Sequence, residues 1–187
     1  MYASLEELSR DILSCTACPL WQGRTRGVPG EGNPGADLMF VGEGPGAEED
    51  LAGRPFVGAA GQLLDRILEA IDLTRDDVFI ANIVKCRPPG NRNPTSGEAE
   101  ACLPWLRHQV RLIRPRIIVC LGTVAARNII DPGARVTRIR GQFIERRGYS
   151  LFATYHPAAL LRDERLKVDA WKDFRAIRDK LREIGKR

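Results

Sequence analysis

Hydrophobic positions recur along the chain with the spacing of helix faces and, between them, in short continuous runs. In residues 3–14 the apolar side chains fall on one helical face, and Ser4 stands at the position of an N-cap. The same 3.6-residue spacing recurs further along the chain. It predicts helices over 3–14, 60–71, 96–113 and 164–184, with a short helix starting at Thr123.

Short apolar runs between these helices predict buried strands over 38–41, 78–84, 116–121 and 149–155. Weak alternation over 136–148, around Gly141, predicts a hairpin. Apolar strands that alternate with helices are typical of a parallel sheet covered on both faces. The sequence therefore predicts one α/β domain over 1–187, with a central, mostly parallel four-stranded sheet flanked by helices on both faces.

Composition and charge narrow the class of protein. The chain has 187 residues, 43% hydrophobic and 28% charged, which suits one globular domain. Its apolar runs are far shorter than the ~18 residues of a membrane span, and its N-terminus does not resemble a secretion signal, so we expect a cytoplasmic protein. The net charge of +5 favours polyanionic partners. Five cysteines without a signal peptide favour metal or redox chemistry over disulfides.

Three unusual polar residues stand where predicted strands end or are about to end. Glu43 lies in the glycine turn after the first strand, Asn82 lies in the second, and His156 follows the fourth. Ligands of open α/β sheets bind beyond the carboxyl ends of the strands, so the three side chains could share a pocket. Each also has a purely structural explanation.

The glycine turn over 42–46 lacks a dinucleotide fingerprint, and its Pro45 has no amide hydrogen to donate to a phosphate. The turn therefore favours close approach of the backbone to a planar ligand over phosphate binding.

Four cysteines have a spacing that suits a metal centre. Cys15 and Cys18 form a C-x-x-C pair, while Cys86 and Cys102 stand apart. A zinc ribbon usually supplies two such pairs, and a redox pair should follow a strand rather than a helix. From spacing alone, an iron–sulfur cluster, a zinc ion and unligated thiols all remain open. Cys120 falls inside a strand pattern and is expected to be a small buried side chain.

Taken together, these segments resemble the family 4 uracil-DNA glycosylases, the iron–sulfur branch of the uracil-DNA glycosylase superfamily. The likeness covers nearly the whole chain and keeps the order of the motifs. The matching stretches are CTACPL at 15–20, LMFVGEGPGAEED at 38–50, GRPFVG at 53–58, NIVKCRPP at 82–89 and HPAALLR at 156–162.

The resemblance implies a ligand set and a catalytic centre. It implies a 4Fe–4S cluster on Cys15, Cys18, Cys86 and Cys102, which would tie down the N-terminal helix and loop over about 1–36. The implied catalytic residues are Glu43, Asn82 and His156. Asn82 would hydrogen-bond the amide edge of uracil and His156 would donate to its O2, while Glu43 would stand beside the sugar and the attacking water.

The resemblance also implies residues that surround the base and hold the DNA. Phe56 would stack on uracil, and Gly42, Gly44 and Glu49 would border the pocket. Glu49 has an equally good interpretation as an acidic helix start. Leu160 and Leu161 are candidate wedges into the base stack, or alternatively the start of a buried helix. The expected phosphate contacts, each equally explained as a solvated arginine, are Arg87, Arg92 and Arg162. Lys85 is expected to tune charge or to touch phosphate.

The function implied is that of a monofunctional DNA glycosylase in base excision repair. Such an enzyme flips uracil out of single- or double-stranded DNA, hydrolyses its N-glycosidic bond and leaves an abasic site. We expect a monomer in the cytoplasm, associated with the nucleoid, with a sliding clamp as a candidate partner. Two alternatives remain: a non-catalytic iron–sulfur protein that binds nucleic acid, and a glycosylase that also accepts hypoxanthine or damaged pyrimidines.

Overall fold

The computed structural model describes residues 2–185 and contains one mixed sheet. Its strands are β1 Glu31–Gly32, β2 Leu38–Gly42, β3 Phe79–Asn82, β4 Ile117–Leu121, β5 Phe143–Arg146 and β6 Tyr149–Thr154. Their spatial order is β1-β3-β2-β4-β6-β5. The four inner strands are parallel, as predicted. The sheet has six strands rather than four, because β1 and β5 add short antiparallel edges.

Helices join the strands and cover the sheet. They are α1 Leu5–Ser14, α2 Ala47–Ala52, α3 Ala59–Ala70, α4 Ser96–Ile113, α5 Thr123–Ile129, α6 Val136–Ile139, α7 Pro157–Arg162 and α8 Lys167–Gly185, with 3-10 turns at Pro19–Gln22, Arg75–Asp77, Pro89–Asn91 and Glu164–Leu166. Ser4 caps α1 as predicted, since its hydroxyl accepts from the amide of Glu7 at 3.2 Å. Within residues 2–185, no helix combines the length and the apolar character that a bilayer crossing requires.

Two apolar layers form the core, one on each face of the sheet. The strand period of two sends alternate side chains of β2 to opposite faces, and all of them are buried. Met39 and Val41 pack in the layer that includes α4 and α5. Leu38 and Phe40 pack in the layer that includes α3 and α8. The prediction of helices on both faces is confirmed.

The hairpin predicted over 136–148 around Gly141 is wrong in its position. Residues Val136–Ile139 form the short helix α6, and the hairpin is made instead by β5 and β6. It turns at Arg147 and Gly148, whose φ values are 51° and 86°. Gly141 and Gly148 both suit a turn. The weakly alternating sequence between them does not show which of the two reverses the chain.

Candidate active site

The parallel strands bring the three unusual polar residues to the wall of one pocket. Glu43 follows β2, Asn82 is the last residue of β3, and His156 is the N-cap of α7, shortly after β6. All three line the same pocket, as expected for the carboxyl ends of neighbouring parallel strands. The pocket therefore combines a carboxylate, an amide and an imidazole.

The amide of Asn82 is buried against the strand that lies beside it. Asn82 is 2% exposed and is the sheet partner of Gly42. A Cβ atom at Gly42 would stand 2.5 Å from Asn82 Oδ1 and 2.5 Å from Phe56 Cζ, so only glycine leaves room for both side chains. Gly42 is itself buried behind them. Gly42 is absent from the pocket lining and acts as a spacer behind these two side chains, so its contact with the ligand stays a prediction.

Asn82 Oδ1 is a buried acceptor without a donor. Among the buried side-chain oxygen and nitrogen atoms of residues 2–185, it is the one that has no hydrogen-bond partner. Leaving a buried carbonyl oxygen unpaired costs about 1–3 kcal/mol. Such a cost is expected where a ligand supplies the missing donor. The pocket thus contains an acceptor suited to an N–H group.

The imidazole of His156 stacks on the ring of Phe56, with centroids 5.4 Å apart and planes inclined by 29°. His156 Nδ1 accepts from the amide of Ala158 at 3.1 Å, so the proton of the neutral ring is on Nε2. Burial and, to a smaller extent, the nearby Arg162 cation together lower the pKa of His156 to about 4, against the opposing effect of Glu49. At neutral pH the ring is an uncharged donor.

Phe56 adopts a backbone conformation that a bulky residue avoids unless it is held. Its φ is 53°, in the left-handed region that costs roughly 1–2 kcal/mol for a residue with a Cβ atom. Arg75 holds the segment by donating to the carbonyl oxygens of Pro55, at 3.0 Å, and of Phe56. Its Nε also donates to Asp65 at 2.7 Å. No local pattern in the sequence points to Arg75, which lies 19 residues from Phe56.

Glu43 and Gly44 form another part of the pocket wall. Glu43 is half-buried, and burial raises the pKa of its carboxyl, while the Arg162 cation partly offsets that rise. A Cβ atom at Gly44 would stand 2.7 Å from Val84 Cγ2, so the glycine lets the turn lie close to the chain beyond β3. The wall thus presents a carboxylate on a closely packed turn.

Glu49 lies both at the start of a helix and at the pocket wall. It stands in the first turn of α2, where its Oε2 accepts from the amide of Gly46 at 3.0 Å. Its Oε1 accepts from the amides of Val57 and Gly58, each at 2.9 Å. Glu49 therefore ties the glycine turn to the Phe56 segment, and it also lines the pocket.

The two leucines of α7 differ in exposure. Leu160 is 1% exposed and packs in the core, whereas Leu161 is 43% exposed. The interpretation of Leu160 as a wedge is wrong, because its helix turns that side chain toward the sheet. Arg162, on the same helix, lines the pocket.

The two arginines of the proline-rich loop already have protein partners. Arg87 Nε donates to Asn91 Oδ1 at 2.7 Å. Arg92 lines the pocket and forms a bidentate pair with Glu98, at 2.8 and 2.7 Å. The Arg92 guanidinium lowers the pKa of Glu98 to about 2. A phosphate would have to share these cations.

Four cysteines line a second, smaller pocket, and a fifth lies elsewhere. Cys15, Cys18, Cys86 and Cys102 share that pocket, between the end of α1 and the start of α4. All five are free thiols. Burial raises the pKa of Cys102 to about 11 and also raises that of Cys86. In the described part of the chain, no group of three or more His, Cys, Asp or Glu side chains is placed to hold a single metal ion.

Three of these four sulfur atoms each accept a hydrogen bond from a neighbouring donor. Cys15 Sγ accepts from Trp105 Nε1 at 3.3 Å. Cys86 Sγ accepts from the guanidinium of Arg24 at 3.1 Å, and Cys102 Sγ accepts from the amide of Lys85 at 3.3 Å. Such donors are typical of thiolates that bind a metal or cluster. Arg24 and Trp105 could not be predicted for this role, because these contacts join segments that are distant along the chain.

The structure contradicts one of the two roles expected of Lys85, the contact with phosphate, and leaves the tuning of charge as a prediction. It is 1% exposed, and its Nζ donates to the carbonyl oxygen of Asn82 at 2.8 Å and to Gln109 Oε1 at 2.7 Å. Burial lowers its pKa to about 8. The prediction of a phosphate contact is wrong, because the ammonium group points into the interior.

Comparison with known proteins identifies relatives along nearly the whole chain. The uracil DNA glycosylase superfamily model matches residues 29–176. The type-4 uracil-DNA glycosylase of Sulfurisphaera tokodaii is 46% identical over 185 residues, which cover 94% of this chain and 84% of that protein. That of Archaeoglobus fulgidus is 46% identical over 182 residues, covering 93% and 92%. That of Thermotoga maritima is 47% identical over 161 residues, covering 85% and 84%.

Proposed function

The chain belongs to the uracil-DNA glycosylase superfamily, in its type-4 branch, and we infer from this membership that it is an enzyme that excises uracil from DNA. The structural observation that carries this inference is the unpaired, buried Asn82 Oδ1 at the pocket wall. The amide edge of uracil supplies the donor that this oxygen lacks. The alternative of a non-catalytic nucleic-acid-binding protein fits less well, because the three relatives described above are uracil-DNA glycosylases.

Base recognition is proposed to depend on Asn82 and Phe56. Asn82 Oδ1 would accept from uracil N3–H, and its Nδ2 would donate to O4. Cytosine has an acceptor at N3 and a donor at position 4, so it would leave both groups of Asn82 mispaired. The ring of Phe56, at the pocket wall, would supply the apolar face on which the base lies.

The leaving group is proposed to be stabilised by His156. As the bond between C1′ and N1 breaks, its electron pair goes to uracil, and negative charge grows on O2. The neutral ring of His156 has its one N–H at Nε2, because Nδ1 accepts from Ala158. A fixed donor aimed at developing charge contributes roughly 3 kcal/mol to lowering the barrier.

Glu43 is proposed to act on the sugar and on the attacking water. The ionised carboxylate would stabilise the positive charge that develops on the sugar, and it would orient the water that adds to C1′. No lysine is among the pocket-lining residues in the described chain, and Lys85 Nζ is bonded in the interior. We therefore propose hydrolysis without a Schiff base, which leaves an abasic site.

Glu43→Gln is expected to lower the rate of uracil release by about 100-fold, because the amide cannot neutralise the cationic sugar. Burial raises the pKa of Glu43, so the wild-type rate should fall as the pH drops through a value above 4.5, and this step should be absent in the variant. Single-turnover rates across pH measure both effects. Glu48→Gln, an exposed carboxylate at the same pocket, is the matched control. Unchanged turnover in Glu43→Gln would remove Glu43 from the mechanism.

DNA is proposed to be held at the rim of the pocket. Leu161 is exposed on α7 and would fill the space left by the flipped nucleotide. Arg162 stands one residue further on and lines the pocket. Arg87 and Arg92 would reach phosphates from the proline-rich loop. Each guanidinium would then bind a phosphate in addition to its present partner, Asn91 or Glu98. Binding through these cations weakens as salt rises.

A 4Fe–4S cluster is proposed for the pocket of four thiols. The residues fit the group, because four cysteines from three segments face one small pocket and donors already surround three of their sulfur atoms. Cys15 and Cys18 would hold it from the N-terminal segment, and Cys86 and Cys102 from the rest of the domain. When bound, the cluster would fix the segment over about 1–36 beside the pocket, as a structural group.

Cys102→Ser is expected to remove most of the bound iron and the brown colour, and to lower the midpoint of thermal unfolding, because metal binding contributes directly to folding. The measurements are iron per chain, expected to be about four in the wild type, visible absorption and thermal unfolding. Cys120→Ala is the control, because Cys120 is buried in β4 away from the pocket. A colourless wild-type protein that contains zinc would contradict the cluster.

Several broader properties remain our proposals. We propose that residues 1–187 act as one domain and that the enzyme is a monomer. We further propose that it works in the cytoplasm on nucleoid DNA, single- or double-stranded, with a sliding clamp as a candidate partner. Size-exclusion chromatography with light scattering would measure the oligomeric state directly.

The function itself is tested by incubating the protein with an oligonucleotide that contains one uracil and then treating it with alkali. We expect strand cleavage at the uracil position only after alkali, and free uracil in solution. Binding without cleavage would favour a non-catalytic protein. Equal release of hypoxanthine or a damaged pyrimidine from competing substrates would show a broader specificity.

A further inference from the structure

A buried ammonium group lies directly behind the amide that faces the base. Lys85 is 1% exposed, a rare state for lysine. Its Nζ donates to the carbonyl oxygen of Asn82 at 2.8 Å and to Gln109 Oε1 at 2.7 Å. Gln109 is also 1% exposed, and its Nε2 donates to the carbonyl oxygen of Pro29 at 2.7 Å. The ammonium group is therefore fixed from two sides.

The backbone of Lys85 is held as firmly as its side chain. Its amide donates to Cys102 Sγ at 3.3 Å, and its carbonyl oxygen accepts from the amide of Val28 at 2.8 Å. The residue thus has contacts with the cysteine pocket, with α4 through Gln109 and with the end of β3. Because Lys85 is itself held in place, its hydrogen bond can hold the residue that it contacts.

Asn82 is the residue that receives this support. Its side-chain Oδ1 has no partner within the described chain, so no hydrogen bond to that atom fixes its direction. Asn82 is the last residue of β3, and its carbonyl group faces Lys85. The bond from Nζ fixes the peptide that follows Asn82, and it thereby limits rotation of the backbone that carries the amide.

A purely apolar packing role does not explain a lysine at this position. Burying an ammonium group is costly unless it is paired, and methionine would fill similar space without that cost. Hydrogen bonds from a charged donor are shorter and stronger than neutral ones. Both facts indicate that Lys85 acts through its hydrogen bond to Asn82 rather than by filling space.

We propose that Lys85 is a positioning residue for base recognition, which holds the Asn82 peptide so that Oδ1 faces uracil N3–H. The proposal rests on the proposed function, because it requires Asn82 to be the residue that reads the base. It assigns no contact between Lys85 and the substrate. It also connects the cysteine pocket to the catalytic pocket through a single buried residue, whose amide bonds Cys102 and whose side chain bonds Asn82.

The test is a double-mutant cycle between Lys85→Met and Asn82→Ala. We expect Lys85→Met to lower the single-turnover rate of uracil release by about 10-fold or more. KM for DNA should stay unchanged, because no DNA contact is lost. In the Asn82→Ala background the same change should have almost no further effect, since the group it positions is absent. Iron content and visible absorption should match the wild type, and Lys172→Met, exposed on α8, is the matched control.

Three results would overturn the proposal: a wild-type rate for Lys85→Met, rate losses that multiply with those of Asn82→Ala, or a loss that follows reduced iron content. Where Lys85→Met does not give folded protein, Gln109→Leu removes the second acceptor of Nζ, and the same cycle and criteria apply. Failure of the proposed function gives a different pattern, because the wild type itself would then release no uracil.

Discussion

Asn82→Ala is expected to lower the rate of uracil release by about 100- to 1,000-fold, measured in single turnover on a duplex with one uracil. The substitution removes both the acceptor for N3–H and the donor to O4. It also removes the one buried side-chain oxygen in the described chain that has no donor, so the protein should not lose stability through an unpaired group. We expect thermal unfolding to stay close to that of the wild type.

The control for this result is Asn128→Ala on α5. The side chain of Asn128 is an amide too, but it is only partly buried, and its Nδ2 donates to the carbonyl oxygen of Val124 at 2.9 Å, within its own helix. That variant should release uracil at the wild-type rate. A wild-type rate for Asn82→Ala would contradict the assignment of base recognition to this residue.

His156→Ala is expected to reduce the rate by a similar factor, about 100- to 1,000-fold, because the donor to uracil O2 is lost. The pKa of His156 lies near 4, below its ordinary value. The neutral ring therefore persists down to about that pH, and protonation would disrupt its bond from Ala158. Wild-type rates should thus show no step near pH 6.5 that arises from this residue.

The control here is His108→Ala, since His108 lies on α4 and contacts Tyr2 with ring centroids 5.0 Å apart. It should leave the rate and its pH profile unchanged. A wild-type rate that falls as the pH rises through 6.5, with that step absent in His156→Ala, would show that the cationic ring is the active form. The neutral-donor mechanism would then be wrong.

The central strands could be predicted because strands buried on both faces consist of short, continuous apolar runs. Residues 38–41 are all apolar, as both faces of β2 are covered. The edges could not be predicted in the same way. β1 is only Glu31–Gly32, and β5 carries exposed polar residues at one end, so neither has the pattern of a buried strand. Turn chemistry alone could not choose between Gly141 and Gly148.

The pocket could be predicted in outline because topology places strand ends together. Glu43, Asn82 and His156 follow from that rule without knowledge of any side-chain contact. Arg75 and Lys85 could not be found in this way, because their roles depend on how far a long side chain reaches. A lysine in a sequence is expected at the surface, and burial of Lys85 appears only when α4 and β3 are packed together.

Leu160 and Gly42 show the limit of assigning residues by position in a motif. Both belong to segments that line or approach the pocket, yet Leu160 turns into the core and Gly42 lies behind Asn82 and Phe56. Helix phase and close packing decide which members of a motif face the ligand. These properties are fixed by three-dimensional packing rather than by sequence order.

The most direct measurement is inhibition of the wild-type enzyme by free uracil compared with 3-methyluracil. The two bases differ only at N3, where the methyl group removes the hydrogen that Asn82 Oδ1 is proposed to accept. We expect uracil to inhibit and 3-methyluracil to have little effect, with the difference lost in Asn82→Ala. Equal inhibition of the wild type by both bases would show that no acceptor reads N3.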